Sequence, residues 1–473
     1  MSSSPKHFFT HFNTKGVFSL QENSAIAHYK KLMGVDDLTR SGMDHRRLDF
    51  YVLMAAFQVF SCYVLNLFKF FNRQPYYVFK VKDIEVGKYI TSSVLRRDLK
   101  AIQSRLRFAF SFHVYMMRSF FVLGAALRNA RKVDAISLGD IFYLDGIWID
   151  FFLSRRGVHV YLYNAFHGTL CVTKPYKNLS ALIKSLEASR ANHRAKTLKE
   201  VSSYMERRLK NPQKEISYYE VVSDGSSLKP LASENNKISV IVYAHSFTDN
   251  QMERGYDGFK SVYDWLKFTL SALGRLDDTV DVFLKVHPNF YASHPEYSTP
   301  HVSVLDRRIW QDFIQGISQN IKVVDSTVSN YEFLNYFPKE RTTLISHHGN
   351  AIVEGAFLGY DSISSMSSTW AENYNFSRLW NGRKQYKDLL LRIQIPSVQT
   401  KSQFESVRNY ISNVYMQDRI SPSSDFSLWN VISKHCKVPV SELMSFPFAS
   451  INCSAQELEG AEQELASNIT IAN

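Results

Sequence analysis

The chain has 473 residues, 45% of them apolar and 21% charged, which excludes a disordered or fibrous protein and is too long for a single ordinary core. Its net charge is +12, but residues 1–230 hold 35 Lys and Arg against 18 Asp and Glu, whereas residues 231–473 hold 21 against 26. The basic half suits a phosphate-rich partner or an anionic membrane surface. With no arginine-rich run, zinc spacing or RNA-binding aromatic motif, nucleic acid is not an expected partner.

The N-terminal stretch MSSSPKHFFTHFNTKG lacks the apolar run of a signal peptide. Cys62, Cys171, Cys436 and Cys453 form no pair motif, so a reducing, cytoplasmic setting is expected. LDFYVLMAAFQVFSCYVLNLFKFF (48–71) is long enough to span a bilayer. Asp49, Gln58, Ser61 and Asn66 interrupt it and basic residues flank both ends, so a buried or interfacial helix is expected. Residues 106–127, with Arg118 in the middle, read the same way. PYYVFKV (75–81) and YITSSVL (89–95) read as strands. VDAISL (133–138), IFYLDGIWIDFFLSRRG (141–157) and VHVYLYNAF (158–166) read as a strand, a helix closed by Gly157, and a second strand. That β-α-β unit implies a parallel sheet covered by helices.

Residues 171–235 include a basic helical tract, and SDGSSLKPLASENNK (223–237) has linker composition. The expected domains are therefore 1–230, 231–400, and a C-terminal helix with a polar tail over 401–473. From 238 the β-α rhythm is regular. Strands are expected at 238–247, 280–288, 321–326, 342–346 and 361–365, with helices at 258–273, at NYEFLNYF and at NAIVEGAFLG. This is the pattern of a doubly wound α/β sheet, whose ligand lies beyond the carboxyl ends of the strands.

Four such strand ends carry polar residues. AHSFTDN supplies His245 and Asp249; KVHPN supplies Lys285 and His287; VVDSTVSN supplies Ser326 and Ser329; SHHGN supplies His347, His348, Gly349 and Asn350. One such loop is ordinary, but four together indicate a site for a polar ligand. Asn350 can cap the following helix, leaving free amides that suit a phosphate, and Gly349 admits close approach. Glu354, one turn further, can accept hydrogen bonds from the vicinal hydroxyls of a ribose. Of the paired histidines, His348 is expected to face the ligand and His347 to pack beneath the turn. Adjacent histidines point apart, and no H-E-x-x-H or cysteine pair occurs, so no metal is expected. The absence of G-x-S-x-G, G-x-x-x-x-G-K-[ST] and G-x-G-x-x-G sequences argues against a serine hydrolase, an ordinary NTPase and a dehydrogenase.

The ordered series AHSFTD, YDWLKFTL, VFLKVHPN, VVDSTVSNYEFLN and LISHHGNAIVEGAFLGYDSISS resembles the bacterial capsule and surface-polysaccharide biosynthesis proteins, glycosyltransferases of the GT-B type. Their pattern has a histidine loop ending in Asp, a Trp-bearing helix, a Lys-x-His-Pro strand end and a Ser-bearing loop. A GT-x-x-x-E turn and helix follow, continued by E-x-x-x-x-G. His245, Asp249, Trp265, Lys285, His287, Pro288, Ser329, Gly349, Glu354 and Gly359 fall on it. Asn350 replaces the usual Thr, which preserves a cap but removes a hydroxyl contact. In the first half, KDIEVGKYITSSVLRR is similar to a G-I-x-I-G-D segment ending in Arg, with Lys88 in place of Asp, and VDAISLGDIFYLDGI to a strand followed by a Tyr-bearing helix. The strong motifs cover about 240–365 and the weak ones 80–165.

The resemblance implies two Rossmann-like domains facing each other across a cleft. It implies transfer of a sugar from a nucleotide-activated donor to a growing glycan or lipid-linked acceptor, with no metal or other cofactor. The second domain would hold the donor, with His287 and the HHGN turn at its phosphate and Glu354 at its ribose. The first, basic domain would hold the acceptor, at the inner face of the cytoplasmic membrane. Asp140, just past AISL, is the candidate base, a position equally suited to capping the next helix. His245 and Asp249 are alternatives, and a retaining enzyme needs no such base. Two other readings stay open: a CDP-polyol phosphotransferase of the teichoic-acid type, which also uses His-Pro strand ends, and a non-catalytic glycan-binding protein.

Overall fold

The computed structural model describes residues 8–11, 38–40, 48–69, 79–131, 135–138, 143–156, 158–164, 168–172, 175–191, 195–210, 237–248, 255–276, 279–287, 290, 300–324, 328–393, 398–416 and 425–426. Asp140, Asp249, Ser326, Gly157, Pro288, the linker-like 223–236 and the polar tail lie outside them.

In chain order the elements are β1 (Phe8–His11), β2 (Leu38–Arg40), α1 (Phe50–Lys69), α2 (Val86–Arg97), α3 (Leu99–Gln103), α4 (Arg105–Asn129), β3 (Ala135–Leu138), α5 (Gly146–Leu153), β4 (His159–Asn164), β5 (Gly168–Val172), α6 (Leu179–Ala191), α7 (Leu198–Lys210) and β6 (Ile238–Tyr243). There follow α8 (Val262–Leu273), β7 (Val280–Lys285), α9 (Pro300–Ile314), β8 (Ile321–Val324), α10 (Asn330–Leu334), β9 (Thr342–Ser346), α11 (Ala351–Phe357), β10 (Asp361–Ser365), β11 (Arg378–Trp380), α12 (Arg383–Leu391), α13 (Lys401–Tyr410) and β12 (Asp425–Phe426). They form two compact units. One comprises Met1–Ser93, Phe112–Lys184 and Gln417–Asn473; the other comprises Val94–Ser111 and Ser185–Met416.

The first unit is built on a sheet of order β12-β5-β4-β3-β1-β2. β5 runs antiparallel to β4 and β12; the other pairs are parallel. The expected β-α-β unit is present as β3, α5 and β4, in register from Ala135↔His159 to Leu138↔Leu162. One expectation is corrected. YITSSVL is not a strand but the middle of helix α2. Val86, Tyr89, Ile90, Val94 and Leu95 recur at helical spacing, and that period outweighs the β-preference of Tyr, Ile, Thr and Val; residues 86–95 are all buried. Before it, Val81 and Ile84 form only an isolated bridge.

A buried polar network fixes α2. Asp150 of α5, fully buried, accepts hydrogen bonds from Glu85 N (2.9 Å), Tyr89 Oη (2.9 Å) and Leu179 N (2.7 Å). Lys88 lies against Glu85 and Ser180. Burial raises the Asp150 carboxyl from 3.8 to about 6, against the hydrogen bonds it accepts. The native state therefore binds a proton more tightly than the unfolded chain, and stability falls as pH rises from about 4 to about 6. The expected loss is on the order of 2–3 kcal/mol, read as a falling unfolding midpoint across that window and absent in Asp150→Asn. Glu85 acts in a separate window. Burial opposes its ionisation, but Lys88, Lys80 and Ser180 hold it down to about 2, so its contribution is lost only as pH falls below 4.5.

The second unit carries an all-parallel, six-stranded sheet of order β8-β7-β6-β9-β10-β11. Numbered within the unit this is 3-2-1-4-5-6, the Rossmann order, which reverses between β6 and β9. All five residues of both TTLIS and DSISS are buried, as short strands in the middle of a covered sheet should be. Gly355 lets α11 lie on the sheet, since a Cβ there would come within 2.0 Å of Leu344 Cδ1. Val201, Met205 and Leu209 of α7 share a core with Ile241, Phe283, Leu344 and Ile352, and with Val407 and Tyr410 of α13. α8 begins at Ser261, whose side chain accepts from Asp264 N.

Candidate functional site

β6, β7 and β9 lie side by side, with Tyr243 paired to both Lys285 and Ser346. His245, His287 and His348 each stand two residues past this row, at the carboxyl ends of the strands. Two backbone bonds extend the sheet toward them, Ala244 N to Lys285 O and Val286 N to Val324 O, both 3.0 Å. The His245 and His348 rings are 4.0 Å apart by centroid, and those of His245 and His287 are 5.5 Å apart. The sequence shows the histidines; only the register shows that they form one row. His245 and His348 follow the two strands between which the sheet order reverses, the place where open α/β sheets bind ligands.

His347 lies beneath the row. It is buried against the stacked Trp265 and Trp380 rings, meeting each edge to face. Its Nε2 is 2.8 Å from Asp257 Oδ2, and its Nδ1 is 2.6 Å from His348 Nδ1. Its carbonyl accepts from Ser365 N (2.9 Å) and Ser368 Oγ (3.2 Å). Burial disfavours the Asp257 carboxylate, but His347, Ser365 and the Phe259 amide outweigh it and hold the pKa below 3.8. An ionised Asp257 accepts a hydrogen bond from His347 Nε2–H. The direction of the bond between His347 Nδ1 and His348 Nδ1 follows the tautomer: with His347 protonated on Nε2 alone, His348 donates from Nδ1 and presents Nε2 as an acceptor. In that tautomer Asp257, His347 and His348 form a directed chain of carboxylate and two imidazoles. Burial, with the neighbouring His245, lowers His287 to about 3, so it is neutral at physiological pH.

Asp257 reaches this position through a turn that only glycine permits. Gly258 has φ +104°, and a Cβ there would come within 2.4 Å of Arg383 N. Gly382 N also donates to Asp257 O (2.8 Å). The His245 loop is tied from below by fully buried Asp306, which accepts from Phe247 N (2.9 Å) and Ser246 Oγ. Neither aspartate was among the sequence candidates. Asp257-Gly258 reads as an ordinary turn, and Asp306 sits in a helix 59 residues from its partner.

The remaining candidates are built into the fold in other ways. Glu354 Oε1 accepts from Arg208 Nε (3.2 Å) and Oε2 from Asn330 Nδ2 (2.9 Å). Asn330 in turn accepts from Tyr243 Oη. The cap expected of Asn350 is not made. The residue is helical (φ −56°, ψ −24°), and its Oδ1 accepts from Tyr415 Oη at 2.9 Å instead. Gly349 N donates to Ser346 Oγ (3.3 Å), which closes the turn locally. Ser329 caps α10, accepting from Glu332 N (3.2 Å). Lys285 is buried at the end of β7. Among the described residues, no group of three His, Cys, Asp or Glu is disposed to hold a metal ion.

The structure therefore brings His245, His287 and His348 together and sets Glu354 and Asn350 in a second network with Arg208 and Tyr415. No protein-family model matches the chain, and no curated protein matches it.

Proposed function

We propose that the chain is a glycosyltransferase of the GT-B type, transferring a sugar from a nucleotide-activated donor to a glycan or lipid-linked acceptor at a surface polysaccharide. The donor phosphate would lie over the histidine row at the β6/β9 reversal, which is the observation that supports the reading most directly. In the reaction the acceptor hydroxyl attacks the anomeric carbon, the bond to the phosphate oxygen breaks, and the electron pair leaves on the nucleotide. N–H groups of His245 and His287, with Lys285, would stabilise that charge. For inversion a base takes the hydroxyl proton; Asp140, His245 and Asp249 are the candidates.

A second reading, transfer of a polyol phosphate from a CDP-linked donor, is favoured by the same row. That reaction needs a histidine base, and the Asp257–His347 pair would leave His348 Nε2 as an acceptor.

A thermal-shift screen of CMP, CDP, UDP, GDP and CDP-glycerol separates these. One nucleotide at a hundred times its Kd is expected to raise Tm by about 5 °C or more, and His348→Ala to abolish the shift. A response to CDP-glycerol alone selects the second reading; no response to any nucleotide would sink both.

A further inference from the structure

Helix α1 is apolar on two opposite faces, and only one of them is used. Val52, Ala55, Val59, Tyr63 and Asn66 point into the first unit and are buried. The helix is held there firmly. Asp49 pairs with Arg128 Nε at 2.6 Å and accepts from Val52 N; Tyr63 Oη meets His113 Nε2 at 3.0 Å. α4 approaches Val52 through Gly124, where a Cβ would come within 2.7 Å of Val52 Cγ2. The opposite face carries Phe50, Leu53, Phe57, Phe60 and Leu65, which are 55–74% exposed. At 100° per residue these five fall within one stripe, turned away from the buried one.

We propose that this stripe docks the protein on an anionic lipid bilayer, with α1 lying in the plane of the interface. Helices α1 and α4 are both long and apolar enough to cross a membrane, but α4, against which α1 packs, carries Arg118 in its middle and is more than half buried, so α1 presents one free face rather than a span. Phe and Leu on the free side match what enters the acyl boundary. The surrounding charge matches the headgroups. Residues 50–69 contain no Asp or Glu and end on Lys69, and in the sequence Arg46 and Arg47 come before them and Arg73 after. The same basic flanks would repel those of a second copy pairing through this face, whereas an anionic surface neutralises them. The docking face does not depend on the sugar-transfer reading.

The test is sedimentation of the full chain with vesicles of phosphatidylcholine, with and without phosphatidylglycerol, at low and high salt. The expected result is binding that needs phosphatidylglycerol and weakens with salt. Phe57→Ser with Phe60→Ser should lower partitioning by about tenfold or more, with unchanged circular dichroism and Tm, since neither ring supports the core. Leu53→Ser with Phe57→Ser should do the same and guards against one poorly behaved variant. Wild-type chain that stays in the supernatant overturns the proposal. So does binding that both double variants retain, or a wild-type dimer that they convert to monomer without any change at vesicles.

Discussion

Asp257→Ala should be among the most damaging single substitutions in the second unit, costing about 3 kcal/mol and about 6–12 °C in melting temperature. The carboxylate is buried and accepts from His347, Ser365 and the Phe259 amide, so its removal strands three donors in a site that water does not reach. Asp257→Asn is the more informative change. Its Oδ1 can still accept from Phe259 N, but its amide offers Nε2 of His347 a donor. His347 then has to carry its proton on Nδ1, and His348 has to give up its own there. The hydrogen-bond chain reverses direction, and His348 Nε2 becomes a donor. Nitrogen-15 shifts of the labelled histidine rings read that reversal directly. If His348 keeps its Nδ1 proton in the variant, the directed chain does not set its tautomer.

The second large effect is expected at Glu354. Alanine there leaves Arg208 buried without its carboxylate, and Asn330 without an acceptor, at a cost of about 3–5 kcal/mol. The charge on Arg208 is favoured by Glu354 against the burial that opposes it, and its guanidinium stacks on Tyr415 at 4.6 Å. Joint replacement, Arg208→Met with Glu354→Leu, removes both charges and should recover most of the loss in urea unfolding. If Glu354→Ala unfolds within about 1 kcal/mol of wild type, the pair contributes little. Loss of a nucleotide response in Glu354→Ala is therefore interpretable only beside its melting temperature, whereas His348→Ala tests the proposed donor site without breaking an ion pair.

Five of the six strands of the second unit were legible from short uncharged or apolar runs bounded by turn residues; β11, three residues long, was not among those expected. TTLIS and DSISS were placed to the residue. Helix α2 was not, because the β-forming Tyr, Ile, Thr and Val of YITSSVL mask the helical spacing of Val86, Tyr89, Ile90 and Val94, which shows only when the window reaches back to Val86. In the candidate site, residue types at strand ends were visible and their partners were not. Asp257, Asp306 and Arg208 meet His347, Phe247 and Glu354 across 59 to 146 residues of sequence, a distance no local pattern encodes. The role of Asn350 was misread for the same reason. Its chemistry suits a cap, but Tyr415, from beyond α13, takes the oxygen first.

That C-terminal stretch has one more consequence. After α13 the chain makes a π turn over Ile411–Tyr415, and Ser412 Oγ accepts from the backbone N–H of Lys196, 216 residues earlier. The segment that closes the second unit is thus stitched to the segment that precedes α7. Topologically, the run from 196 to 412 is a ring with its ends already joined. It is the kind of unit that tolerates circular permutation: a short bridge at Lys196 and Ser412, with new termini in an exposed loop between helix and strand, would preserve every strand pairing of the sheet.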